Sequence, residues 1–188
     1  MNVHLDENEV AKQACRSIWS LAALNEANQI KLGACGGCEV VVKALNVHLN
    51  EKEVAKQACW AIWNLAVNDA NQMKFGACEG CEVVVKALNV HLNEKEVAKQ
   101  ACGAIWSLAF NNDANKMKLG ACEGCEVVVK ALNVHWNEKE VAKPACAAIW
   151  SLSLDIGNKS RLKELGAKQL IQRCIENEYK KQALNNLS

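Results

Sequence analysis

The 188-residue sequence holds one proline, one tyrosine and two phenylalanines, and it carries almost no net charge. Each shortage excludes something. A single proline, Pro144, leaves no proline-rich linker or polyproline segment. With 22 Lys and Arg against 21 Asp and Glu, the basic excess of a dedicated nucleic-acid binder is missing. No apolar stretch approaches the ~20 residues that span a bilayer. The opening Met1-Asn-Val-His-Leu-Asp-Glu lacks the apolar core of a signal peptide, so neither export nor a membrane partner is expected. What is abundant is Ala, Leu, Lys, Glu and Asn, which favours helix throughout. Hydrophobic residues make up 51%, enough to exclude disorder. Six tryptophans and eleven cysteines complete the inventory. An odd number of thiols in a chain without an export signal points to a reducing compartment, the cytosol or nucleus.

The sequence repeats. Asn-Val-His begins at Asn2, Asn46, Asn89 and Asn133, spacings of 44, 43 and 44 residues. Between Asn2–Leu45 and Asn89–Leu132, 34 of 44 positions are identical. The one-residue shortening falls at Leu65-Ala66-Val67-Asn68-Asp69, which marks a surface turn. Units of this length are supersecondary modules that bury a continuous core only when stacked.

Each unit reads as three helices. Asn50-Glu51-Lys52-Glu53 has the form of a capping box, repeated at Asp6/Glu9, Asn93/Glu96 and Asn137/Glu140. Val54, Ala58, Ile62 and Leu65 then follow at helical steps of four, four and three. A short helix is expected near Ala70 to Phe75, stopped by Gly76 in a left-handed C′ position. A third is expected from Gly80 to about His91, with Glu82 and Lys86 on its solvent face.

Ala58-Cys59-Trp60-Ala61-Ile62-Trp63-Asn64-Leu65-Ala66, followed by Asp69 through Gly76-Ala77, resembles the armadillo repeat, and the likeness recurs over almost the whole chain. It implies an all-α fold, a right-handed superhelical solenoid with three helices per repeat. In that register the chain begins with a partial repeat at 1–24. Complete repeats follow at 25–67, 68–110 and 111–154, and a partial, polar capping repeat ends it at 155–188. No matching cap precedes the first long helix. That end is expected to pack on another chain or to continue in a longer protein.

The resemblance also implies a function: binding a protein or peptide in the concave groove of the long helices. Peptide-binding members use a Trp and an Asn four residues later, matched here by Trp60 and Asn64. Elsewhere the Trp column reads Arg16, Gly103, Ala147 and the Asn column Ser20, Ser107, Ser151. Lys56, Gln57, Gln100 and their repeats add to the groove by spacing, with Glu53 and its repeats on the same broad side. The expected partner contacts are therefore Trp60, Asn64, Lys56, Gln57, Arg16, Ser20, Gln100 and Ser107. Trp19, Trp63, Trp106 and Trp150 form a second column, expected to pack each long helix on the next, with a row of groove anchors as the alternative. Pro144 predicts a kink or a late helix start. Trp136 is either local packing or a contact site.

The pairs Cys35/Cys38, Cys78/Cys81 and Cys122/Cys125, each with His48, His91 or His135 ten residues on, have the look of metal or dithiol sites. The histidine lies three turns away along one helix, ~15 Å, too far for one metal within a unit. Aligning Gly166–Ile171 with Gly33–Cys38 puts Ile171 in the second cysteine's column and Lys168 in the first. The second cysteines therefore read as core packing and the first column as lying near the surface or at an edge, with no metal and no cofactor. No serine, cysteine or carboxylate constellation suggests an enzyme. The alternatives to a binding scaffold are a self-associating structural segment and, behind it, a redox- or metal-responsive protein.

Overall fold

In a computed structural model describing residues 5–188, every regular element is a helix. The order is α1 (Asn8–Ala22), α2 (Glu26–Ala34), α3 (Gly37–Val47), α4 (Lys52–Leu65), α5 (Asp69–Ala77), α6 (Gly80–Val90) and α7 (Lys95–Ala109). Then come α8 (Asp113–Ala121), α9 (Gly124–Val134), α10 (Lys139–Leu152), α11 (Ile156–Glu164), α12 (Ala167–Arg173) and α13 (Lys180–Asn186). Three rows result. The long helices α1, α4, α7 and α10 pack side by side, α3, α6, α9 and α12 form a second row, and α2, α5, α8 and α11 a third. This is an all-α solenoid.

Local chemistry sets the short helices. Asn25, Asn68, Asn112 and Asp155 each accept, at 2.9–3.2 Å, the backbone N–H three residues on, which satisfies one of the orphan donors of a helix start. The capping box expected at Asn50 does not form. Glu51 N–H instead donates to the His48 carbonyl, and this backbone turn makes Glu51 the N-cap and Lys52 the first helical residue. Gly76 does not end its helix either. It lies inside α5, and the left-handed residue is Glu79, with φ 63°. Gly36 and Gly166 occupy the matching place in their repeats.

Gly76 has a different reason to be glycine. A Cβ there would lie 2.2 Å from Asn115 Oδ1, and at Gly33 and Gly120 it would meet Asn71 and Asn158 at 1.7 and 1.9 Å. Each asparagine leans over the preceding short helix. Asn115 Nδ2 donates to the Gln72 carbonyl at 3.1 Å and to the Leu108 carbonyl at 3.0 Å. Asn71 does the same to Gln29 and Leu65. Lys74 and Lys118 reach back to the Gly33 and Gly76 carbonyls. The outer row is thus tied together by buried polar bonds. The stripe Val54, Ala58, Ile62 and Leu65 closes the interior at 0% exposure.

Two departures concern the ends. The chain leaves α12 at Cys174, runs irregularly through residues 174–179, and re-enters helix as α13 against α10. The last repeat therefore ends in two helices rather than one polar helix. At the other end, Val10 and Leu21 are 39% and 53% exposed, although their equivalents Val54 and Leu65 are fully buried.

Candidate binding groove

The long helices α1, α4, α7 and α10 carry the groove side chains. Trp60 and Asn64 are both engaged within the chain. The Trp19 ring stacks on Trp60 with centroids 3.6 Å apart and planes 11° from parallel. Trp19 Nε1 donates to Gln57 Oε1 at 2.6 Å. Asn64 Nδ2 donates to the Trp60 carbonyl of its own helix at 2.9 Å. Lys56 pairs with Glu53 at 2.5 Å. Arg16 and Ser20 are exposed, but Gln100, 3% exposed, lies under the groove surface, and Ser107, 7% exposed, reaches it only in the lining of a concavity. The Trp19 column contributes to this: Trp19 leans onto Trp60 of α4, and Trp63 onto Gly103 of α7.

The same rule operates further along. A Cβ on Gly103 would lie 2.4 Å from the Trp63 ring, so Trp63 rests directly on the α7 backbone. A glycine in the Trp60 column is what admits the neighbouring indole. Trp106 and Trp150 meet Phe110 at 6.5 and 6.3 Å. Tyr179, from the segment before α13, adds its ring 5.0 Å from Trp106 and 6.1 Å from Trp150.

Two adjoining concavities open here. One, of about 290 Å³, is bounded by Trp63, Trp106, Pro144 and Tyr179 and rimmed by Lys99, Lys143, Glu140 and Glu178. The other, about 260 Å³, shares Trp63 and Trp106 and runs to Gln72, Ser107 and Phe110. The rim charges are paired across it: Lys143 with Glu178 at 2.8 Å, and Lys99 with Glu140 at 3.8 Å. The Glu178 carboxyl is held below the usual carboxylate range by the Lys143 hydrogen bond. Trp106 Nε1 is buried with no hydrogen-bond partner among the described residues. Trp19 gives its N–H to Gln57, and the residue in Gln57's place on α10 is Pro144, which offers no side-chain acceptor, although Gln100 in the same column on α7 also leaves its Oε1 unpartnered among the described residues.

Helix α10 nevertheless begins on time, at Lys139, in register with Lys52 and Lys95. Pro144 therefore acts through the lost side chain rather than by delaying the helix. Trp136 is 39% exposed, with the Arg173 guanidinium 5.0 Å from its ring and its carbonyl taking the Ile175 N–H at 3.2 Å. Spacing alone predicts that the Trp63 and Trp106 column packs one long helix on the next, with groove anchors as the alternative, and Trp63 does pack on α7 while walling both concavities. Tyr179 left no signal beyond being the one tyrosine.

The cysteines separate by burial. Cys38, Cys81 and Cys125 are fully buried, Cys78 and Cys122 are half-buried, and Cys35 is exposed. Desolvation pushes the Cys38, Cys81 and Cys125 thiols up to about 12. Cys15 and Cys102 beneath the tryptophans also rise to about 12. The alignment of the last repeat needs correction. Gly166, with φ 71°, takes the place of Gly36, so Ile171 stands in the Val41 column and Lys168 in that of Cys38. The histidines are structural. The Nε2 atoms of His48, His91 and His135 meet the Leu5, Leu49 and Leu92 carbonyls at 2.7–2.9 Å, and since a carbonyl only accepts, each Nε2 carries the proton. Among the described residues, no three His, Cys, Asp or Glu side chains converge as a metal would need. Because the thiolate is the nucleophile, native alkylation at pH 7.5 should label Cys35 fast, Cys78 and Cys122 slowly, and the raised, buried thiols only after unfolding. Mass-spectrometric mapping against time checks this; early labelling of Cys38 or Cys102 would contradict the burial.

No protein-family model matches the sequence, and no curated protein matches it. Solved structures do. A designed armadillo repeat protein in complex with the peptide (KR)4 has 29% identity and a TM-score of 0.82 over 98% of this chain and 79% of its own. A computationally designed armadillo repeat protein for modular peptide recognition is 29% identical, with a TM-score of 0.78 over the same shares. An engineered protein aligns at 20% identity and TM-score 0.84 over 97% of this chain and 76% of its own. Across almost its whole length, then, the chain is built of armadillo-like repeats.

Proposed function

We propose, from an armadillo-like solenoid as premise, that this protein is a non-enzymatic scaffold that binds an extended protein or peptide segment in the groove of its long helices. The observation that carries the reading is the pair of adjoining concavities walled by Trp63 and Trp106. Aromatic walls with a few placed polar groups suit a peptide chain with apolar side chains. The likeness to designed peptide-binding armadillo proteins supports the same class of partner. The rim has both signs of charge, which disfavours a purely basic ligand such as (KR)4. The contact set accordingly shifts from the Trp60–Asn64 rung toward Trp63 and Trp106, with Lys56, Gln57, Arg16 and Ser20 at the periphery.

The test is a display selection of random peptides on the full chain, followed by affinity measurement on Trp63→Ala and Trp106→Ala. Loss of one buried aromatic anchor is expected to weaken binding by at least ~10-fold, since hot-spot truncations cost ~2 kcal/mol or more. Selected peptides indifferent to both substitutions would refute the groove. One observation favours a second reading, association through the N-terminal end: the open stripe of Val10 and Leu21. On that reading the full chain sediments as a dimer, and Leu21→Lys returns it to monomer. A monomer at all concentrations would dismiss it.

A further inference from the structure

Three singular residues meet at one end of the groove. Tyr179 is the only tyrosine, Pro144 the only proline, and Trp106 has the buried indole N–H left without a partner. Tyr179 belongs to the irregular segment between α12 and α13, where Asn177 Oδ1 takes the Tyr179 N–H at 3.1 Å. That turn lays Glu178 and Tyr179 across α7 and α10. The Tyr179 ring lies nearly parallel to Trp150, at 24°, and 5.0 Å from Trp106. The Glu178 carboxylate sits on Lys143 at 2.8 Å. An acidic residue followed by an aromatic one thus finds a complementary cation and complementary rings on this surface. The groove continues past them, unfilled, to Trp63.

We propose that the Lys143–Trp106–Trp150 end of the groove recognises a partner segment carrying an acidic residue followed by an aromatic one, and that Glu178-Tyr179 occupies this site in cis as a built-in competitor. The proposal rests on the groove reading above and names the class of ligand it takes. The competitor is lightly held. Glu178 and Lys143 are 57% and 49% exposed at their side chains, and an ion pair so wetted is weak. The firm anchors of the C-terminal segment lie on either side, at Cys174 before it and at Ala183 and Leu187 after it, buried at 3%, 0% and 2%, and between them Asn177 adds one bond, to Cys146 Sγ at 3.6 Å. Residues 176–179 can therefore leave the groove while α13 stays on α10. Charge complementarity selects the partner: Lys143 is freed when Glu178 leaves, and Lys99 borders the same concavity, held only at 3.8 Å by Glu140. Once Tyr179 is displaced, a partner carbonyl supplies the acceptor for Trp106 Nε1 that Pro144 cannot.

A tethered segment acts at an effective concentration of about millimolar, so an outside ligand meets a site that is mostly filled. The probe is a fluorescent peptide with the chain's own 175–182 sequence, Ile-Glu-Asn-Glu-Tyr-Lys-Lys-Gln, beside a control with alanine for its tyrosine. Both are titrated against the full wild-type chain and the full-length E178Q/Y179A variant. The variant should bind the probe at least ~10-fold more tightly than wild type, and the control peptide should not bind. Equal affinity for the two chains, or no binding to a variant that retains its helical circular dichroism, overturns the proposal. Should the variant unfold, hydrogen exchange on wild type decides. Millimolar probe must accelerate exchange of the amides in 176–180, and unchanged rates refute the competitor. Display-selected peptides that need Trp63 but lack an acidic–aromatic pair would sink this inference and leave the groove reading intact. Failure of both experiments removes the groove itself.

Discussion

Gly76→Ala is expected to destabilise the array by ~2–4 kcal/mol, read as a lower urea midpoint. The sign is the point. In an ordinary helix interior the same change stabilises by about 0.5–1 kcal/mol, because alanine loses less backbone entropy. Here the new methyl would stand 2.2 Å from Asn115 Oδ1. The amide must move, and moving it leaves the Gln72 and Leu108 carbonyls without the bonds that Asn115 Nδ2 gives them. A buried polar group stripped of its partner costs ~1–3 kcal/mol. A double-mutant cycle isolates the cause. In an Asn115→Ala background the clash is gone, so the penalty of Gly76→Ala should shrink toward zero. Additive effects would disprove the contact.

Gly103→Trp is expected to cost ~3 kcal/mol or more and to abolish peptide binding in the groove. On repeat logic alone this substitution looks like a repair, since it places in the third repeat the tryptophan that the second has at Trp60. The structure forbids it. The space over the Gly103 Cα is filled by the Trp63 ring, 2.4 Å from where even a Cβ would stand. The second repeat holds Trp60 only because Trp19 has stacked flat on it. Thermal unfolding and peptide affinity check the two halves of the prediction. A variant that is stable and still binds would show that Trp63 can move aside.

Much of the fold was legible in the residues. The 43–44-residue period, the stripe through Val54, Ala58, Ile62 and Leu65, and the turn before Gly80 all follow from local spacing. Spacing failed where a contact between repeats or an alternative local turn took the expected place. Gly76 looked like a helix stop and is instead the floor beneath Asn115. Asn50 looked like a cap, but the turn at His48 takes its place. The last repeat was misaligned by three residues, because Gly166 serves a left-handed turn that other repeats assign to Glu79 and Glu123. The groove suffered most. The Trp60–Asn64 pair was visible as a motif, but nothing local reveals that Trp19, from the preceding long helix, lies flat on Trp60.

By itself the sequence determines the repeat, its helical content, the near-zero net charge and the burial of most cysteines. These depend on periodicity and composition, which act within one unit and are copied four times. Only the tertiary structure decides which aromatic faces stay open. Helices α4 and α7 are each covered by a ring from the preceding long helix, so a residue's exposure there depends on a partner in another repeat. It also decides that the groove ends at Tyr179. That contact joins the irregular C-terminal segment to α7 and α10, and no repeat register connects them.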